Sequence, residues 1–118
     1  MGGRGGAGGF YGGGGYPIIG EISNSMKSDG WTQGLYVSVV QKASDMGLSI
    51  SQGRDGWQTL TYYNGESYSI RPTNNPYGET VLAVRDSSGR LLGTYKQAGR
   101  AINAIDDDHI RKLRSRRR

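Results

Sequence analysis

Six positive side chains stand within eight residues near one end of the chain: Arg111, Lys112, Arg114, Arg116, Arg117 and Arg118. So dense a run repels itself until a polyanion replaces its counterions, and guanidinium forks match phosphate oxygens in shape as well as charge. Nucleic acid is therefore the expected partner, held through its backbone and without base specificity. The competing account is a solvated run that aids solubility or acts as a transport address. A second candidate lies on a β-hairpin. Tyr62 and Arg71 share the face expected to look outward, where Tyr62 can stack on a base and Arg71 can hold a phosphate. Cross-strand packing is the plainer use of such an aromatic.

Asp106, Asp107, Asp108 and His109 are consecutive. On a helix they fan around the axis and cannot all converge on one ion, so capping and pairing with the downstream arginines is the expected role. His109 is the one histidine, and a metal-independent nuclease would need it as general base beside Tyr and Arg residues, but no nucleophile motif of the GxSxG type accompanies it. Glu66 and Glu79 have no acidic partner motif for two-metal hydrolysis. The glycines of GGAGGFYGGGG match many patterns by composition alone, no strand precedes them, and there is no phosphate-binding GxxxxGK[ST] loop. With 0 Cys, zinc knuckles, disulfide scaffolds and cysteine nucleophiles are excluded. No cofactor, metal or small-molecule substrate is expected, and a non-enzymatic role stands ahead of an enzymatic one.

The elements that must position these residues are unevenly distributed along 118 residues carrying 21 Gly and a net charge of +5. Eleven of the glycines fall in residues 1–20, which read as a flexible arm. With Arg4 inside GGRGG and Phe10, Tyr11 and Tyr16 interleaved, the arm resembles RGG segments of RNA-binding proteins, although those repeat the arginine; a tether or assembly arm suits it better. Residues 21–108 read as a single small α+β domain. Residues 109–118 read as a basic C-terminal tail with six Arg or Lys and no acid, whereas residues 21–105 hold eight basic and seven acidic groups. The domain is thus nearly neutral and its basicity lies at one end.

Within the domain, Tyr16–Ile22 is an apolar entry segment suited to an edge strand, and 23–30 is a polar loop. Trp31, Leu35, Val39, Ala43 and Met46 recur at helical spacing, which predicts a helix over 31–46 capped by Asp29 and stopped at Gly47. A strand over 35–39 is the alternative, given Val37, Val39 and Val40. The period then changes to two. Leu48 and Ile50 alternate with serines, and Asn64-Gly65 predicts a type I′ hairpin joining 57–63 to 66–71. That turn sets Tyr63 opposite Glu66 and Thr61 opposite Tyr68. It puts Trp57, Thr59, Thr61, Tyr63, Tyr68 and Ile70 on the core face, with Gln58, Leu60, Tyr62, Ser67, Ser69 and Arg71 outside. Pro72 and Pro76 predict a loop over 71–78. A second hairpin follows, 80–85 and 90–95 about Asp86-Ser87-Ser88-Gly89, and then a helix from Gln97 to Ile105. Whether it continues through DDDHIRKL or a separate short helix starts at Asp106 is open.

The expected architecture is an antiparallel meander of about five strands, containing two hairpins, flanked by an N-terminal and a C-terminal helix. The order helix, strands, helix resembles that of the double-stranded RNA-binding domain, but that family has three strands and a basic, Ala-rich start to its second helix. Here the corresponding QAGRAINAI holds only Arg100, so the likeness is one of topology. No apolar run approaches the roughly 18 residues that span a bilayer. The first residues lack the apolar core of a secretory signal, and Gly6 stands where a myristoylation signal needs Ser or Thr. A non-secreted protein, cytoplasmic or nucleic-acid-associated, is expected. The first functional expectation is a nucleic-acid-binding accessory or assembly protein of virion, packaging or ribonucleoprotein type. The alternative is a protein-binding module or inhibitor that docks a partner, or another copy of itself, through its sheet edge or Pro-containing loop. A metal-independent nuclease is third.

Overall fold

The computed structural model of the chain describes residues 20–116. The Gly-rich arm, most of the segment Tyr16–Ile22, and Arg117 and Arg118 lie outside the described residues. The fold is α+β. Helices α1 (Asn24–Ser28) and α2 (Gln33–Asp45) precede strands β1 (Leu48–Gln52), β2 (Gln58–Tyr62), β3 (Ser67–Asn74), β4 (Thr80–Asp86) and β5 (Leu91–Tyr95), and helix α3 (Ala98–Arg116) follows. The strands form one antiparallel meander in the order β1-β2-β3-β4-β5, with an N-terminal and a C-terminal helix packed against it, as expected.

The loop expected over 23–30 contains the short helix α1, because Ser23 accepts a hydrogen bond from the Met26 N–H and so supplies the cap. Asp29 closes α1; the cap of α2 is Thr32, whose side chain accepts from the Leu35 N–H. The helix expected over 31–46 is therefore present as α2, two residues later at its start, and the alternative strand is not formed. Gly47 ends it with φ of +79°, the left-handed stop that glycine accommodates. Trp31 stays outside the helix and fills the core, donating its indole N–H to the Gly56 carbonyl at 2.7 Å. Gly56 is required there: a Cβ would stand 2.6 Å from that of Asp29.

The first hairpin corrects the expected register by one residue. Leu60 pairs with Tyr68 and Thr61 with Ser67. The only non-glycine residue at positive φ among those described is Asp55, so Asn64 does not supply the first position of a type I′ turn. Instead the Tyr62 N–H donates to the Glu66 carbonyl and the Gly65 N–H to the Tyr62 carbonyl, a three-residue loop closed by Gly65 at φ +93°. One extra loop residue inverts the inside and outside of β2 relative to β3. Leu60 and Tyr62 are buried, Tyr63 is fully exposed, and Trp57, Thr59 and Thr61 turn to the opposite face. The expectation for Tyr68 and Ile70 holds; both are buried.

The same turn recurs at Asn75–Glu79 and Asp86–Arg90, with identical backbone bonding and Gly78 and Gly89 in the left-handed position. The loop expected over 71–78 is shorter than that, since β3 continues through Pro72 to Asn74. β2 begins at Gln58, opposite Ile70, so beyond Ile70 only β4 flanks β3, and proline is tolerated beside an open edge.

Both long helices lie on one face. Val39 and Ala43 of α2 and Ala101, Ile102 and Ile105 of α3 close over Leu60, Tyr68, Ile70, Leu82 and Val84. Full burial of a side chain such as Ile102 contributes about 1.5–3 kcal/mol.

Candidate functional site

Helix α3 does not stop at Ile105. It runs unbroken through Asp106, across residue 109 where the tail was expected to begin, to Arg116. Its buried stripe, Ala98, Ala101, Ile102 and Ile105, continues at the same spacing into Asp108 and His109, which are also buried, and then Lys112. The stripe changes from apolar to ionic where it crosses the end of the sheet that carries the β2–β3 and β4–β5 turns. These turns are neighbours because Tyr68 pairs with Asp86.

Asp106, Asp108, His109 and Lys112 each meet specific partners. Tyr62 donates its hydroxyl to Asp106 at 2.8 Å, and Tyr68 donates to Asp108 at 2.9 Å. His109 Nδ1 lies 2.7 Å from Glu66 Oε1, and its ring stacks on Tyr62 with centroids 3.7 Å apart. Lys112 Nζ reaches three carboxylates, Asp108 at 3.2 Å and Glu66 and Asp86 at 3.7 Å each. Arg90 bridges Asp86 at 3.2 Å and Asp108 at 3.4 Å, and Arg111 also pairs with Asp108. Asp86 additionally caps its own turn, accepting from the N–H groups of Ser88 and Arg90 and from the Ser88 hydroxyl.

The electrostatics follow from this packing. The Ser88 hydroxyl, opposed by burial but joined by the backbone N–H groups of Arg90 and Ser88 and by Lys112, holds the Asp86 carboxyl down at about 2. Burial alone would raise Asp108, but the hydrogen bonds from Tyr68 and Lys112 outweigh it and its carboxyl is lowered. The phenols move the other way. Burial first, then the hydrogen bonds to Asp106 and Asp108, push Tyr62 and Tyr68 well above the ordinary tyrosine range.

Three of the expected binding residues change role in consequence. Tyr62 is buried under His109 rather than exposed on a platform. Arg71 lies on the opposite face of the sheet, where it donates to the Asp55 carbonyl, so the two are not brought together; the one-residue register shift is the cause. Lys112 is an internal counter-ion whose side chain keeps 27% of its exposure. The arginines differ. Arg111 and Arg90 retain 68% and 55% side-chain exposure while sharing Asp108, Arg114 is exposed, and Arg116 is the last residue of α3.

Between α3 and β5, Arg90, Leu92, Tyr95, Asp107 and Arg111 line an open cleft of about 260 Å³. Arg90, absent from the expected residues, joins the basic group only because the β4–β5 turn folds back beside α3. The Glu66–His109 pair has the form of a carboxylate orienting a general base. Its ring face is covered by Tyr62 and His109 is only 8% exposed, an arrangement that ties the β2–β3 turn to α3. Among the described residues no helix is long and apolar enough to cross a membrane. Comparison of the chain with protein-family models, with curated proteins and with solved structures finds no match.

Proposed function

We propose that the protein is a nucleic-acid-binding accessory or assembly protein in which Arg90, Arg111, Arg114 and the arginines from 116 to 118 contact phosphates. The observation that carries this reading is the division of labour along the end of α3. Lys112 is consumed by Glu66, Asp86 and Asp108, whereas the Arg111 and Arg90 side chains stay more than half exposed. Arg111 and Arg114 are three residues apart on a helix and share a side. A helix anchored by Lys112 and His109 presents them without the ordering cost that a free tail would incur on binding. The simpler account, arginines that only complement the carboxyl end of the helix dipole, is worth about 0.3–1 kcal/mol and calls for no cluster of this density.

The test is a gel shift with an unstructured oligonucleotide across a salt series. Substitution is preferable to truncation, because removal of 111–118 also takes away Lys112 and loosens the sheet end. Replacing Arg90, Arg111, Arg114, Arg116, Arg117 and Arg118 by Gln should abolish binding that the wild type shows at low salt and loses steeply at moderate salt. Salt-insensitive binding, or equal binding by the variant, would remove the reading.

A further inference from the structure

The sheet face opposite the helices carries an organised set of polar side chains. Register aligns Ser49 with Thr61 and Thr61 with Ser67, and one rung on aligns Ser51, Thr59, Ser69 and Arg85. Two rows of hydroxyls therefore cross three strands, and each of these side chains is half-buried or exposed while its strand neighbours on β2 and β3 are buried. Beyond the Gln58–Ile70 pair stand Trp57, just before β2, and Arg71 on β3. The Arg85 guanidinium lies over the Trp57 ring, 3.9 Å from its centroid. Among the described residues, the charged strand side chains on this face are Arg71 and Arg85, and no strand carboxylate joins them.

We infer that the β1–β3 part of this face, beside the buried Val81 and Ala83 of β4, is a second nucleic-acid surface, which receives a single strand with one base stacked on the Arg85–Trp57 pair and its backbone on Arg71 and the serine and threonine hydroxyls. Charge complementarity favours the class of occupant: although Asp29 lines a cleft with Arg71, two guanidiniums and two rows of hydroxyls, with no carboxylate on the described strands of this face, suit a phosphodiester chain and not a basic peptide. The aromatic pair fixes the strandedness. A guanidinium plane or an indole ring offers a surface to an unpaired base, whereas a base within a duplex is already stacked on its neighbours. Recognition by stacking and backbone contact, tolerant of sequence, is the expected mode.

This inference rests on the nucleic-acid reading of the arginines on α3, and the two are separated by tryptophan emission. Trp31 is buried and should report little, so the probe is Trp57 in the intact protein. Titration with oligouridylate should quench emission, the Trp57→Phe variant should lose the quenching, and Arg85→Ala should weaken binding about tenfold, in the range of one lost stacking contact. A duplex of equal length should bind through the helix arginines with no quenching. If oligouridylate binds in an arginine-dependent way while emission is unchanged and Arg85→Ala binds like wild type, the sheet face is not a site although the α3 reading stands. If the duplex quenches as strongly, the single-strand assignment fails. If the intact protein binds neither, both readings fail.

Discussion

The two halves of α3 rest on the same sheet through the same helical stripe, yet they are held by opposite means. From Ala98 to Ile105 the stripe is apolar and its burial is nearly complete. From Asp106 to Lys112 it is ionic, and Asp106, Asp108, His109 and Lys112 are matched by partners on turns or strand ends. The apolar half gains from removing surface from water regardless of direction. The ionic half gains little from burial itself, since desolvation opposes every charge it takes in. What it provides is direction: the Glu66, Asp86 and Asp108 carboxylates fix Lys112 and His109, and Arg111 and Arg114 are left exposed.

Breaking each half should separate these contributions. Ile102→Ala, in the apolar half, should cost about 3–4 kcal/mol in denaturant unfolding, as expected for a fully buried aliphatic side chain. Lys112→Met should cost about 3 kcal/mol, because three carboxylates lose their shared cation; a cost under 1 kcal/mol would mean that the ionic half is not cooperative. Circular dichroism during acid titration gives a smaller effect. The Asp86 carboxyl is lowered from 3.8 to about 2, so its contribution is complete above the unfolded value of 3.8 and disappears as pH falls through about 2. After allowance for solvent screening this is about 1 kcal/mol, and Asp86→Asn should flatten the profile in that window. At the alkaline side the sign reverses. Tyr62 and Tyr68 are raised above 10.0 in the folded state, so stability is full below pH 10 and declines as pH rises above it, and Tyr68→Phe should reduce the decline. The smallest effect belongs to the arginines: Arg114→Gln should change stability by less than about 0.5 kcal/mol while weakening oligonucleotide binding.

Much of the fold was legible from local signals. The Trp31–Met46 spacing located α2, and the alternation after Leu48 together with the Asp86–Gly89 turn gave a five-stranded meander. The register of the first hairpin was not, because Asn64-Gly65 fits both a two-residue type I′ loop and a type I turn closed by glycine. A single residue of difference decides which face of β2 is the core, and with it the fate of Tyr62 and Trp57. Pro72 misled in a similar way, since its tolerance depends on where β2 ends. The ionic half of α3 could have been found by extending the stripe Ala98, Ala101, Ile102, Ile105 three and seven residues further to Asp108 and Lys112. Grouping residues by charge put Lys112 with the arginines, whereas grouping by helical spacing puts it with the core. Arg90 carried no local signal at all; only the pairing of β4 with β5 brings it to α3.

The most direct test of the central claim is the salt dependence of oligonucleotide affinity in wild type and in the Arg111→Gln/Arg114→Gln variant. Affinity should fall linearly on a double-logarithmic plot, and the variant should have a slope shallower by about 1.4 for a single strand, two phosphate contacts at about 0.7 each, with its unfolding midpoint only slightly lowered, since Arg90 and Lys112 still hold Asp108. An identical slope in the two proteins would contradict the account.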